Sequence, residues 1–216
     1  MPLKPILTAL LLALPGAARA HPHAFIDSSL EILFNAAGQA EGVRITWVYD
    51  PLTTLMILEA QQADPDFDAV LTPQEVTNLQ GFDMKWAPGF DGDTYALLGT
   101  APLVLGPPTE VTAGYDNEQV RSSHARYFPQ AVAVGALPLI IQSYDPEYYT
   151  AYVVADARLV GSDRCTVQIF TPDLSEGDIA LQSTLELLGP EVDVGANFPR
   201  VGAAYAEEAR VTCPAP

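Results

Sequence analysis

Over Ala24–Phe34 the side chains alternate, with Phe25, Asp27, Ser29 and Glu31 set against Ile26, Leu30, Ile32 and Phe34. A two-residue period is that of a strand with one face turned to a core. Asn35-Ala36-Ala37-Gly38 then breaks the pattern as a turn, with Gly38 suited to positive φ. Val43, Ile45 and Trp47 alternate with Arg44, Thr46 and Val48, so the two runs predict an antiparallel hairpin. If the first strand starts early, His21 and His23 fall on one of its faces.

The period changes after Asp50-Pro51, where Pro51 suits the first turn of a helix. Residues 53–63 carry Leu55, Met56, Leu58 and Glu59 among good helix formers, and 73–79 read as a second short helix. The Gly/Pro/Asp-rich stretch 81–93 reads as loop or irregular strand. Thr94–Leu98 reads as a strand, and 111–115 with 119–127 as a hairpin turning at Asp116-Asn117. Strands are expected at 131–136 and 139–144, parted by Pro138, and at 148–155. Residues 158–160 and 165–170 look like hairpin arms around Gly161-Ser162-Asp163. A late helix at 179–188 ends at Gly189-Pro190. A short helix at 202–208 and a strand at 209–213 follow. The fold class is α+β and β-rich: antiparallel, sandwich-like sheets with an inserted helix–loop–helix at about 53–80 and a late helix.

Residues 1–20 have the pattern of a secretory signal: Lys4, an apolar run over 6–14, Pro15-Gly16, then Ala18-Arg19-Ala20 as a small-x-small cleavage site. The expected product is one periplasmic domain, 21–216, long enough for a real core. After the leader no stretch approaches the ~18 apolar residues of a membrane span. The formal charge of the chain is −17, and the leader removes two basic residues and no acid. Such a surface excludes nucleic acid as a partner and attracts cations. The two cysteines, Cys165 and Cys213, follow the leader. In an oxidising compartment the expectation is a disulfide, which contributes roughly 4 kcal/mol in the chain-entropy model.

Asp64-Pro-Asp66-Phe-Asp68-Ala-Val70-Leu-Thr72-Pro-Gln-Glu75 has the spacing of an EF-hand-like calcium loop. Such a loop takes oxygen ligands at positions 1, 3, 5, 7, 9 and 12. Asp64, Asp66 and Asp68 fill the first three, the Val70 carbonyl the fourth, Thr72 the water-holding position and Glu75 the bidentate one. Position 6 is Ala69 where glycine is usual, which costs on the order of 1 kcal/mol at positive φ.

Cleavage before His21 would create a free α-amine beside two imidazoles, His21 and His23. A terminal amine with a pKa of about 8 becomes a donor near neutral pH. Amine and imidazole suit Ni²⁺, Co²⁺, Zn²⁺ or Cu²⁺. Pro22 has no amide hydrogen to lose, which blocks the planar amine–amide–imidazole mode. The remaining geometry is a brace of amine and two imidazoles, completed by carboxylates drawn from Asp27, Asp50 and Asp145, with His124 a further candidate. His124 itself reads as an ordinary strand residue.

HPHAFID after a leader, Gly-Val-Arg-Ile-Thr-Trp running into Tyr49-Asp50, the Asp-rich insert, SYDPEYYTAY from Ser143, and a closing Val-Thr-Cys-Pro occur in that order. Together, over essentially all of 21–214, they resemble domain-of-unknown-function family 1007. The resemblance implies a periplasmic component beside a nickel/cobalt-type membrane permease, hence transition-metal trafficking. It marks His21, His23, Asp27, Trp47, Asp50, Asp145, Pro146, Tyr148 and Tyr149. This chain departs from the pattern at Pro51-Leu52-Thr53 and at the missing loop glycine. The family carries no established catalytic residue. No nucleophile elbow, Cys/His pair or phosphate-cradling loop is present in the sequence, which argues against an enzyme. The alternative to metal trafficking is a calcium-stabilised structural or interaction domain.

Overall fold

The structure, a computed structural model, describes residues 22–188, 192 and 200–214. The expected leader (1–20), His21 and the expected helix stop at Gly189-Pro190 lie outside the described residues. Strand β1 (Ala24–Phe34) turns at Asn35, whose side chain accepts from the amides of Ala37 and Gln39, into β2 (Ala40–Tyr49). Gly38 has φ +72°, as the turn requires. The hairpin is antiparallel, with Leu30 opposite Ile45 and Ile32 opposite Val43.

Two five-stranded sheets follow from the pairing. The first has the order β5-β6-β2-β1-β8, with β5 (Thr109–Asp116), β6 (Gln119–Val132) and β8 (Thr150–Val160). The second has the order β4-β3-β7-β10-β9, with β3 (Thr94–Leu98), β4 (Ala101–Leu103), β7 (Leu139–Ser143), β9 (Thr166–Phe170) and β10 (Glu208–Thr212). Ile26, Leu30, Ile32, Val43 and Ile45 of the first sheet share one core with Ala96, Leu139, Ile141, Ala209 and Val211 of the second. Burying each large aliphatic side chain there contributes about 1.5–3 kcal/mol. The β-rich, sandwich-like α+β class expected from the sequence is observed.

Helix α1 (Pro51–Gln61) is capped by Asp50, and α2 (Pro73–Asn78) by a Thr72/Glu75 capping box. Leu58, Ala63 and Leu79 tie this insert to the core. Gln80, just past α2, exchanges two hydrogen bonds with the main chain of Ala113 on edge strand β5 (2.7 and 2.9 Å), occupying groups that would otherwise template another chain. Helix α3 (Glu176–Glu186) and the single turn α4 (Gly202–Tyr205) lie late in the chain.

Four expectations change. The strands expected at 148–155 and 158–160 are one strand, β8, over Thr150–Val160, which pairs with β1 in parallel, Asp27 against Val153. Side-chain alternation sets which face a strand buries and says nothing of its partner. Residues 158–170 are therefore no hairpin: β8 belongs to the first sheet and β9 to the second, and the chain crosses at Gly161. There φ is +84° and a Cβ would collide with the Phe34 carbonyl oxygen, so only glycine passes. The expected strand at 131–136 is the end of β6, which runs through Pro129 to Val132 and stops. Strand β4 was not foreseen, because Pro102 on a three-residue edge strand leaves little pattern.

Candidate functional site

Asp64, Asp66 and Asp68 offer carboxylate oxygens that all lie within 4.8 Å of one another. Among the described residues this is the one such group of three or more metal-ligating side chains. The loop folds this way because Phe67 and Ala69 both adopt the left-handed conformation, φ 57° and 58°. Alternating turns aim every second side chain inward. The predicted strain at Ala69 is present, and Phe67 shares it. Asp64 accepts from the amides of Asp68 and Ala69 (both 3.2 Å), and Asp68 from that of Val70 (2.8 Å). The Tyr115 hydroxyl on β5 donates to the Ala69 carbonyl at 3.2 Å, which ties the loop to the first sheet. The Asp68 charge, then its own slight desolvation, pushes the Asp66 carboxyl above its usual range. A bound cation would relieve that repulsion.

Glu75 stands apart from the three aspartates. Its carboxylate accepts from the Thr72 amide at 2.7 Å, and the Thr72 hydroxyl accepts from the Glu75 amide at 3.3 Å. Both residues assigned to the end of the calcium shell also start α2, with one Glu75 oxygen engaged by the Thr72 amide.

At the other candidate site, His23 is exposed just before β1. Its amide donates to the Tyr149 carbonyl at 2.7 Å, and the two rings stack at 5.7 Å. Asp50 lies nearby and is fully committed. One oxygen accepts from the amides of Leu52 and Thr53, the other from the Phe25 amide and the Thr53 hydroxyl, at 2.6–3.0 Å. Burial would raise its pKa, but the bonds from Phe25 and Thr53 win and hold it below the usual carboxylate range. Asp145 likewise accepts from the amides of Glu147, Tyr149 and Thr150 and shapes the turn into β8. Both act as caps, and a metal would have to displace main-chain donors to use them. Asp27 is exposed on β1 four positions past His23, roughly 13 Å along the strand, too far to share one ion with it.

His124 and Trp47 face the interior. His124 is fully buried between Trp47 (5.1 Å) and Trp86 (5.8 Å), with neither ring nitrogen hydrogen-bonded. Burial first, then the Arg126 and Arg44 charges, pull its pKa down to about 4. His124 thus lies on strand β6 with its ring in the core. Sequence reasoning missed the polar layer around it. Arg126 donates to the carbonyls of Asp91, Thr94, Leu105 and Gly106 (2.6–3.2 Å). Tyr152 donates to Asp93 at 2.9 Å, and burial above all pushes Asp93 up to about 7. The one signal was on β6, where Ser122, His124 and Arg126 share the parity of Val120 and Phe128.

Cys165 and Cys213 form the expected disulfide, joining the start of β9 to the end of β10. No described helix is long and apolar enough to cross a membrane. A family model described as a protein of unknown function (DUF1007) matches residues 6–213. No curated protein and no solved structure matches.

Proposed function

The chain belongs to the DUF1007 family of proteins of unknown function, and from that premise we propose a metal-binding accessory role. In this reading the protein is periplasmic and not an enzyme. His21 and His23, exposed when the leader is removed, capture a divalent transition metal (Ni, Co, Zn or Cu) and pass it to a membrane permease. The observation that carries it is the anchoring of His23. Its main chain is pinned to Tyr149 and its ring lies on the Tyr149 ring. A ligand held this way loses less conformational freedom on binding than one on a free terminus. The amine and the other imidazole sit two residues away in sequence. The filled shells of Asp50 and Asp145 support a brace of nitrogen ligands completed by water or by the permease, without those carboxylates.

The test is metal titration of the processed protein with His21 verified as its first residue. One stoichiometric Ni²⁺, Cu²⁺ or Zn²⁺ is expected, lost in a His21→Ala/His23→Ala variant. One extra residue before His21 should weaken binding by more than about tenfold, since it removes the amine. Unchanged affinity in the extended protein refutes the brace.

The Asp64–Asp66–Asp68 group favours a second reading, a calcium-stabilised structural or interaction domain with no transition-metal role. There Ca²⁺ raises the melting temperature, Glu75→Gln abolishes that rise, and His21→Ala changes nothing.

A further inference from the structure

A cavity of about 290 Å³ lies between α3, α4, the turn before β8 and β8 itself. Its wall includes Tyr148, Tyr152, Tyr205, Gln182, Asp145 and Glu207. The Tyr152 hydroxyl donates to Asp93 at 2.9 Å and the Tyr205 hydroxyl to the Asp178 carbonyl at 3.1 Å. Neither acceptor belongs to the wall, so both hydroxyl protons are spent away from the cavity. Tyr148 and Tyr205 meet edge to face, 5.1 Å between centroids, and Gln182 donates to the Tyr148 hydroxyl at 2.8 Å. The aromatic wall is thus fixed by Asp93 and Asp178 from outside and by Gln182 from within the wall.

The charges are fixed too. Asp145 is held by three main-chain amides, and Glu207 accepts from the Val154 amide at 2.7 Å. No Lys, Arg or His occurs among the described lining residues. An adjoining cleft shares Asp145 and adds Asp91, Asp93 and Glu147; its Arg200 is paired with Glu147 at 3.4 Å. Anions are repelled from this region. A hard metal ion needs six to eight oxygens, which two committed carboxylates among rings do not supply. Aromatic rings with negative charge nearby suit a weakly hydrated cation, which gains cation–π attraction at a small desolvation cost.

We propose that this cavity binds a small organic cation, an ammonium or guanidinium group, against Tyr148, Tyr152 and Tyr205 with Asp145 and Glu207 as counter-charges. The site is independent of the metal reading. Titrations followed by tyrosine NMR in excess EDTA, using choline, tetramethylammonium and guanidinium, test it. With metal removed, failure here leaves the metal proposal standing. Choline should bind at least about fivefold more tightly than its neutral isostere 3,3-dimethylbutanol. Tyr205→Leu should cut that preference by about twofold or more while Tyr205→Phe keeps it. Glu207→Gln retains an acceptor for the Val154 amide, so it tests charge without unfolding, and should weaken choline while leaving the isostere unchanged. Equal affinity for choline and isostere overturns the proposal. So does the absence of any response of Tyr148 and Tyr205 to all three cations up to about 10 mM.

Discussion

Three Asp-Pro dipeptides, at Asp50, Asp64 and Asp145, look alike in the sequence and end in two different states. Asp50 and Asp145 spend their oxygens on main-chain amides and hold helix α1 and the turn into β8 in place. Asp64 also accepts two amides, but it sits within 4.8 Å of two more carboxylates that face one another. A carboxylate surrounded by donors is architecture, complete without a coordinated metal. A carboxylate surrounded by its own kind is a site that a cation would improve.

The largest test of this contrast is Asp145→Ala, which strips three half-buried amides of their acceptor. It should cost about 3 kcal/mol in urea unfolding, Asp50→Ala about 2, and neither loss should depend on added metal. A loss near zero for Asp145→Ala would place Asp145 back among the ligand candidates. Next comes calcium. At a hundredfold excess over Kd it should stabilise the wild-type by about 2.7 kcal/mol, read as a rise in melting temperature. Glu75→Gln keeps the α2 capping box, since glutamine serves there as well, so loss of the calcium effect in that variant isolates the ligand role from the cap.

Asp93 adds a third kind of carboxylate, set apart above all by its burial. Its folded pKa, about 7, lies above the unfolded value of 3.8, so its contribution is full below pH 3.8 and lost as pH rises through 7. His124 runs oppositely. Its folded pKa of about 4 lies below 6.5, so its contribution is full above pH 6.5 and lost as pH falls through 4. Between those limits the two trends offset each other. Asp93→Asn removes one of them, so stability of that variant should rise by about 2 kcal/mol more than wild-type from pH 4 to 7 in chemical denaturation. The smallest effect belongs to Asp66→Asn. With chelator present it should be slightly stabilising, through relief of repulsion from Asp68, and high salt should cancel the gain.

Much of this was legible because it is local. Asn35–Gly38 named its turn, Asp50-Pro51 its helix start, and the bounds of β1 followed from alternation alone. The disulfide followed from a lone pair of cysteines. What stayed hidden depends on distant partners. Nothing in Thr150–Val160 says that it lies parallel to β1, and nothing in Glu75 says whether its carboxylate meets an ion or the Thr72 amide. On β6 the usual rule ran backwards: Ser122, His124 and Arg126 point inward, and their partners come from loops that pattern cannot place. The part of the core that stayed hidden is the part where polar groups meet across long sequence separations.

The parallel pairing of β1 with β8 also fixes an order of events. In the first sheet, β1 is filled on one side by its hairpin partner within a few residues, while its other side waits for Thr150–Val160. Closing so long a loop is slow, and this edge stays open through early folding. The amide of His23 belongs to that late closure, because its acceptor is the Tyr149 carbonyl. The first-made end of the strand is therefore among the last parts to be locked. Any ligand that reaches His23 before Tyr149 arrives meets an unstructured peptide, and only the finished chain presents it in the geometry described here.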